Sequence, residues 1–242
     1  MRNNEKQSNR MLHGDVWILT LAAILLLCFF LLETQIHLMD PPVGTTQFWR
    51  CALLFVICIV AYFGGILLKR RTKRNVFPFL FLLFLFLYLY LIISLTLWDK
   101  GLRLDGNRLL ENGMTPREYY LKWFVNLHPF QSIYTVYIRG LLEGYVSLRY
   151  TVLNLLGNLC AFMPLSVLLP ALLRPMRRWY FFLPTVLATV VAVEGLQFWL
   201  MVGSCDVDDV ILNVGGAMIV YLILAIPPIR RGMERVWSGD VI

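Results

Sequence analysis

Carboxylate and amide side chains are concentrated in one stretch of the sequence, where a short loop joins two apolar runs. Glu194 and Gln197 lie three residues apart, so they share one face of a helix. Asp206, Asp209 and Asn213 follow helical spacing as well, beyond the loop. Such groups are costly inside a membrane unless they face a partner or a cavity, so they predict a functional site.

Three kinds of chemistry are open to these residues. Carboxylates bind divalent cations through oxygen, which makes Asp206, Asp208 and Asp209 the candidate metal ligands. The same groups can hydrogen-bond the amides and hydroxyls of a ligand. A carboxylate in an apolar setting can also take a proton from a hydroxyl, so Glu194 and Asp209 are the candidate catalytic residues.

Structural roles are open for the same residues. An acidic residue at the start of a helix commonly serves as its N-cap, and Asp206 or Asp208 is suitably placed for that role. Glu194 and Gln197 can hydrogen-bond neighbouring helices instead of a ligand. Capping a helix and lining a site are compatible roles, so this interpretation stays open beside the others.

The composition is that of an integral membrane protein. Of 242 residues, 59% are hydrophobic and 15% are charged, and the mean hydropathy is +0.67. A soluble domain is about half apolar and about one quarter charged. The net charge of +7 comes mostly from lysines and arginines that flank apolar runs, so no nucleic-acid partner is predicted. The five cysteines include no CxxC pair and predict neither a disulfide framework nor a zinc site.

The apolar runs predict an all-α fold, a polytopic membrane protein of about six transmembrane helices. Each run is close to the roughly 20 residues that cross a bilayer core. The predicted spans are 16–32, 48–68, 77–98, 151–173, 180–202 and 208–228. Most lysines and arginines lie at the N-terminus, in 69–74, in 174–178 and in the tail, so both termini are predicted to be cytoplasmic.

Three regions are predicted within one integrated membrane domain. Residues 1–98 form an N-terminal three-helix region, 99–150 an extracytoplasmic connector, and 151–242 the remaining helices with a basic cytoplasmic tail. A short amphipathic helix is predicted near 116–124, and a solvated connector is the alternative. The aromatic residues of this helix that suit a lipid interface are Tyr119, Tyr120 and Trp123.

Polar side chains from three predicted spans reach one level in the outer leaflet. Asn154 and Asn158 share a face of the fourth span, while Glu194 lies in the fifth and Asn213 in the sixth. Because they come from separate helices, they predict a pocket that opens to the outer surface, with the three aspartates at its rim.

Four ordered motifs lie in the second half of the chain. They are NLHPF at 126–130, NLLGNLCAFMPLSVLLP at 154–170, EGLQ at 194–197 and DVDDVILNVGGA at 206–217. Together they resemble the VanZ-like membrane proteins over about residues 126–221. Ser166 departs from the family pattern, in which a glycine is common, and this departure concerns close helix packing rather than the polar site.

The resemblance implies a multi-pass bacterial cell-membrane protein associated with resistance to glycopeptide antibiotics of the teicoplanin type. The motif positions predicted to bind a ligand are Asn154, Asn158, Glu194, Gln197, Asp206, Asp208, Asp209 and Asn213. The motif positions predicted to be structural are Gly157, Pro164 and Gly216.

Three functions fit these predictions, and whether the protein is an enzyme stays open. In the first, the outer pocket binds a lipid-linked cell-wall precursor, another envelope component or the glycopeptide drug, and so protects the cell envelope. In the second, the carboxylates, with or without a divalent cation, modify a lipid or a peptidoglycan precursor. In the third, Glu194 is the proton site of a proton-coupled transporter. Membrane lipids are partners in all three.

Overall fold

The computed structural model describes residues 56–57, 70–97 and 113–238, and these are predominantly helical, which confirms the all-α prediction. The helices are α1 (Arg70–Thr96), α2 (Pro116–Trp123), α3 (Gly140–Leu142), α4 (Leu148–Ala161), α5 (Leu165–Leu172), α6 (Trp179–Leu200), α7 (Val207–Ala225) and α8 (Pro227–Ser238). A π-helical stretch, Ile133–Arg139, runs directly into α3, and a 3-10 turn, Arg174–Arg177, precedes α6. Two short strands, β1 (Val125–Asn126) and β2 (Cys205–Asp206), pair in parallel.

Four helical segments of the described residues are long and apolar enough to cross a membrane. They are Phe77–Thr96, Leu148–Leu172, Trp179–Leu200 and Val207–Ala225. They correspond to the last four of the predicted spans. The spans predicted at 16–32 and 48–68 lie outside the described residues, apart from 56–57. Many apolar side chains on these helices are exposed, as lipid-facing residues are, among them Leu187, Val191, Ile219 and Leu222.

The described residues fall into two compact units. The first comprises the residues up to Leu91 together with those from Arg230 onward, and the second is Ile92–Ile229. In the first unit, Ile57 and Leu87 form a small buried cluster. The part of this unit from Arg230 onward belongs to α8 and to the predicted basic tail. Within it, Arg230 Nε donates to Glu234 Oε1 at 3.1 Å. The candidate site residues all lie in the second unit.

Helix α7 is the central element of the second unit, because α4, α5 and α6 all pack against it. The Phe182 ring of α6 stacks on the Tyr221 ring of α7, with centroids 4.3 Å apart. Each ring has buried neighbours about one helical turn away, which are Val186 and then Val190 on α6, and Ala217 on α7. Small and β-branched side chains at these positions let the helices approach closely, as is typical of membrane helix pairs.

Pro164 divides one membrane-spanning segment into two helices. Helix α4 ends at Ala161, and Pro164 is the N-cap of α5. A proline lacks the N–H that would continue the helical hydrogen bonds, so the sequence itself imposes the break. Shortly after it, the buried Ser166 hydroxyl donates to the Ala217 carbonyl of α7 at 2.7 Å. The serine that departs from the family pattern therefore adds a hydrogen bond between helices.

The predicted amphipathic helix near 116–124 is present as α2. Its start carries a capping box, in which Thr115 and Glu118 each bond the backbone N–H of the other. The prediction that Tyr120 faces lipid is wrong, because this side chain is only 1% exposed. Its ring stacks on Phe124 and meets Phe198 edge-on, and its hydroxyl donates to the Gln197 carbonyl at 3.4 Å. An amphipathic pattern does not distinguish lipid from protein as the apolar partner, and here the partner is α6.

Candidate functional site

The aspartate-rich loop begins α7 through an N-cap at Asp206. The Asp206 carboxylate accepts from the backbone N–H of Asp208 at 2.9 Å, as expected of an N-cap. The same carboxylate oxygen accepts from the Asn126 side-chain amide at 3.0 Å. The Asp206 carboxylate thus hydrogen-bonds both its own helix and a loop that lies 80 residues earlier in the sequence.

Asp208 holds the NLHPF loop against the start of α7. Its side chain is 1% exposed, and its two carboxylate oxygens accept from the backbone N–H groups of Phe130 and Ile133. Hydrogen bonds to a charged acceptor are among the stronger ones in proteins. The backbone of Phe130 has a positive φ of 64°, which the two anchored neighbouring N–H groups help to fix. Asp208 therefore has a structural role.

The loop itself is organised by Asn126. Its side-chain oxygen accepts from the His128 N–H at 3.0 Å, and its side-chain nitrogen donates to Ser132 Oγ at 2.9 Å as well as to Asp206. The strand pair adds backbone contacts, since Cys205 N–H donates to the Phe124 carbonyl at 2.8 Å. The motif NLHPF and the motif DVDD are thus two halves of one folded unit.

Asp209 turns toward the other helices of the bundle. The Asn158 side-chain amide of α4 donates to Asp209 Oδ1, so two membrane-spanning segments meet at this carboxylate. Asn154, one turn earlier in α4, donates instead to the Tyr150 carbonyl of its own helix at 2.9 Å. Of the two predicted asparagines, the structure brings only Asn158 to the acidic residues through a side-chain hydrogen bond.

Glu194 is a buried acid beside these residues. It is 8% exposed, and the carboxylates of Asp209 and Asp206 lie within electrostatic range of it. Its Oε2 atom has no hydrogen-bond partner among the residues that the structure describes. A buried polar atom without a partner is uncommon in folded proteins and calls for an explanation.

Asn213 is another buried side chain with an unpartnered oxygen. It lies one helical turn beyond Asp209, is 5% exposed, and its Oδ1 has no hydrogen-bond partner in the described part of the chain. Glu194 lies six residues before the end of α6 and Asn213 six residues after the start of α7, each about 9 Å from that end. The connection between the two helices is short, residues 201–206, so we expect the two side chains to lie at a similar depth.

Gln197 forms hydrogen bonds through both its backbone carbonyl and its side-chain amide. Its carbonyl accepts from Val202 N–H at 3.0 Å and from the Tyr120 hydroxyl, and its side-chain amide donates to the Thr96 carbonyl at 3.4 Å. The turn that follows contains Met201, which has a positive φ of 53°. Gln197 thus joins the ends of α1 and α6, which matches the structural role considered for it from the sequence.

Of the predicted structural positions, Gly216 has the clearest physical reason. A Cβ atom at Gly216 would lie 1.8 Å from the Leu159 carbonyl oxygen, so only glycine allows α4 and α7 to approach this closely. Pro164 separates α4 from α5. At Gly157, a Cβ atom would meet nothing within 4 Å, and nothing in the structure explains a requirement for glycine there.

Asn126 and Tyr137 belong to this region but were not among the predicted site residues. Tyr137 is buried on the π-helical stretch; burial raises the pKa of its phenol above the usual range, and the nearby Asp209 carboxylate acts in the same direction. Single-turn π-helical insertions frequently occur at functional sites. There was a reason in the sequence to consider Asn126, because this residue begins the motif NLHPF. There was no such reason for Tyr137, which lies outside the four motifs.

The metal hypothesis meets a geometric constraint. Within the described residues, no three His, Cys, Asp or Glu side chains come together in an arrangement that could hold a metal ion. Asp208 uses both of its carboxylate oxygens, and Asp206 uses its Oδ1, on N–H groups of the fold. The arrangement instead offers hydrogen-bond acceptors, among them the buried, unpartnered Glu194 Oε2 and Asn213 Oδ1.

Comparison with known proteins assigns the chain to a family. A sequence profile of the VanZ/LLP1 family matches residues 79–227, which is more than half of the chain. The chain belongs to this family. The match includes all four motifs and begins before them, within the span Phe77–Thr96. No curated protein and no solved structure matches the chain. With four apolar helical segments among its described residues, this VanZ/LLP1 family member is a membrane protein.

Proposed function

We propose that the protein binds a lipid-linked component of the cell envelope at an outer-leaflet site and thereby protects the cell against glycopeptide antibiotics of the teicoplanin type. The proposed site, called here the acceptor site, consists of Glu194, Asp209 and Asn213, with Asn158 beside Asp209. Membership in the VanZ/LLP1 family supports the link to antibiotic resistance. The arginine-rich turn at the opposite end of α6 supports an outer position for the site.

The observation that carries the proposal is the pair of unpartnered oxygens, Glu194 Oε2 and Asn213 Oδ1. Leaving one such buried group without a partner costs about 1–3 kcal/mol. Two of them at a similar depth, contributed by two helices, are explained if a ligand supplies N–H or O–H groups. Sugar hydroxyls and peptide amides of a lipid-linked precursor are donors of this kind.

The depth of the acceptor site suits an amphipathic ligand. The two oxygens lie about 9 Å from the helix ends, within reach of a head group at the membrane interface. The acyl chain of the same ligand would remain in the surrounding lipid. A lipid-linked molecule could therefore present its polar part to the acceptor site without leaving the membrane.

Drug susceptibility in a sensitive Gram-positive host tests this proposal. Wild type is compared with Glu194→Gln and Asp209→Asn, which keep the side-chain shape and remove the charge. Thr185→Val is the matched control, because Thr185 lies on the same helix and its hydroxyl bonds only the Phe181 carbonyl. Blotting of the membrane fraction confirms equal amounts of each protein.

We expect wild type and Thr185→Val to raise the teicoplanin concentration needed to stop growth, and both acid variants to return it to the level of the empty host. Equal protection by all four proteins would show that the acidic residues only support the fold. If wild type itself gives no protection, the proposed link between this protein and the antibiotic is wrong.

A membrane enzyme is the second candidate, favoured by one observation. Glu194 presents a carboxylate oxygen that no described residue occupies, and such an oxygen can accept a proton from a substrate hydroxyl. Expression of an active enzyme would shift the masses of envelope lipids or cell-wall precursors, and Glu194→Gln would abolish the shift. Unchanged masses together with drug protection would support binding alone.

A further inference from the structure

The apolar helix Ile133–Leu142, made of the π-helical stretch and α3, presents a row of exposed apolar side chains. Tyr134, Ile138 and Leu142 follow each other at intervals of four residues, and all three are exposed. Leu142 is 81% exposed. The buried side of the same helix contains Tyr137 and Gly140. The helix therefore has one face turned to protein and one apolar face left uncovered.

Exposed apolar residues continue along the sequence from this helix into a membrane-spanning segment. Tyr145, also 81% exposed, follows Leu142, and Leu148, Leu153 and Leu156 continue the exposed apolar residues along α4. Because α4 begins the segment Leu148–Leu172, which is apolar enough to cross a membrane, its exposed leucines face lipid. Leu142 and Tyr145, which precede Leu148 and are also exposed, would extend that lipid-facing surface beyond the start of α4.

The position of the apolar helix is set by the start of α7. Asp208, in the first turn of α7, accepts from the N–H of Ile133, the first residue of the apolar helix. Because the candidate span of α7 begins at Val207, we expect the apolar helix to begin near the membrane surface at that end. It is too short to cross the bilayer core, which needs about 20 helical residues.

Charge on the helix marks the side that meets water. Arg139 Nε donates to Glu143 Oε1 at 2.6 Å in an exposed ion pair, on the row adjacent to Ile138 and Leu142. A helix with an apolar row and a neighbouring charged row is typical of segments that lie in the plane of the membrane interface. A soluble protein rarely exposes a contiguous apolar patch beyond about a few hundred Å².

We propose that the apolar helix Ile133–Leu142 and the adjoining Tyr145 lie in the membrane interface, with the row Tyr134, Ile138 and Leu142 inserted among lipid acyl chains. This lipid-contact surface is independent of the acceptor site and of the proposed protective function. It differs from the lipid contact predicted for α2, in which Tyr120 is buried against α6.

The test uses full-length protein in phospholipid vesicles with a polarity-sensitive fluorophore on one introduced cysteine. The five native cysteines are replaced by alanine or serine in the parent protein. The label is placed at Leu142→Cys in the apolar row and, as the matched control, at Glu143→Cys in the charged row. Quenching by a nitroxide near the head of the acyl chain is compared with quenching by an aqueous anion.

We expect the label at position 142 to emit at shorter wavelength and to be quenched several-fold more by the acyl-chain nitroxide than the label at position 143. The aqueous quencher should show the reverse order. Equal and strong aqueous quenching at both positions would overturn the proposal, since the connector would then be solvated. Shielding of position 142 from both quenchers would also overturn it, because protein, such as a second copy of the chain, would then cover this row.

Discussion

At the scale of single residues, three neighbouring aspartates have three different environments. Asp206 caps its own helix, Asp208 holds the NLHPF loop, and Asp209 meets Asn158 of α4. Their spacing in the sequence correctly predicts an N-cap at the start of the last span. It does not reveal the role of Asp208, because the two N–H groups that it binds lie more than 70 residues away in the chain.

Removing the Asp208 carboxylate should destabilise the loop. Asp208→Ala leaves the part-buried N–H groups of Phe130 and Ile133 without their acceptors, at a cost of about 2 kcal/mol in the free energy of unfolding. Asp208→Asn keeps one acceptor oxygen and should lose roughly half as much. Thermal unfolding of the purified protein in detergent measures both. Unfolding temperatures equal to that of wild type would contradict this role for Asp208.

The unpartnered oxygen of Asn213 allows a sharper distinction between a ligand site and polar contacts that only hold helices together. If a ligand is the partner of the Asn213 oxygen, Asn213→Leu removes an unsatisfied buried group and should leave the ligand-free protein as stable as wild type or more stable, by up to about 1–3 kcal/mol. If the Asn213 side chain supports the helices, this change should destabilise the protein. The readout is thermal unfolding without added precursor.

At the scale of helices, close packing of α4 on α7 depends on Gly216. An added Cβ would collide with the backbone of Leu159, which cannot rotate away as a side chain could. Gly216→Ala should therefore cost about 3 kcal/mol or more through displacement of α4. Gly215→Ala is the matched control, because a Cβ there meets nothing within 4 Å. The two unfolding temperatures should differ clearly, and equal values would show that the helices can separate at little cost.

The start of α2 depends on the capping box between Thr115 and Glu118. Bonds from the Thr115 N–H and hydroxyl hold the pKa of the Glu118 carboxyl below its usual 4.5. An acid with a lowered pKa stabilises the fold above its usual pKa, and this contribution is lost as the pH falls through the lowered value. Acidification below 4.5 should thus loosen α2.

Substitution of the cap provides the same test at neutral pH. Thr115→Ala should cost about 1 kcal/mol, which is roughly a fivefold loss of hydrogen-exchange protection at the Tyr119 and Phe124 amides. Mass spectrometry of exchanged peptides measures this loss. Unchanged protection would mean that packing of Tyr120, rather than the cap, holds the helix.

At the scale of the whole molecule, features with a local cause could be predicted from the sequence. Continuous apolar runs predicted the four spans that the described residues contain, and Pro164, predicted to be structural, lies where one of them is interrupted. Helical spacing placed Glu194 and Gln197 on one face of a helix, and both side chains are buried.

Features that join distant parts of the chain could not be predicted in this way. The pairing of Val125–Asn126 with Cys205–Asp206 involves two residues on each strand, too few for an alternating pattern to appear. Burial of Tyr120 depends on Phe198 of another helix. In both cases the deciding contact joins residues that are far apart in the sequence, so local sequence patterns cannot predict it.

The central claim is that the acceptor site binds a lipid-linked envelope component, and direct binding tests it most closely. Purified protein in lipid nanodiscs is titrated with a fluorescent lipid-linked cell-wall precursor, with wild type, Glu194→Gln and Thr185→Val compared side by side. We predict saturable binding to wild type and Thr185→Val, and affinity about tenfold weaker for Glu194→Gln, as expected for loss of about one hydrogen bond to the ligand. Equal affinity of Glu194→Gln and wild type, or no saturable binding to wild type, would contradict the claim.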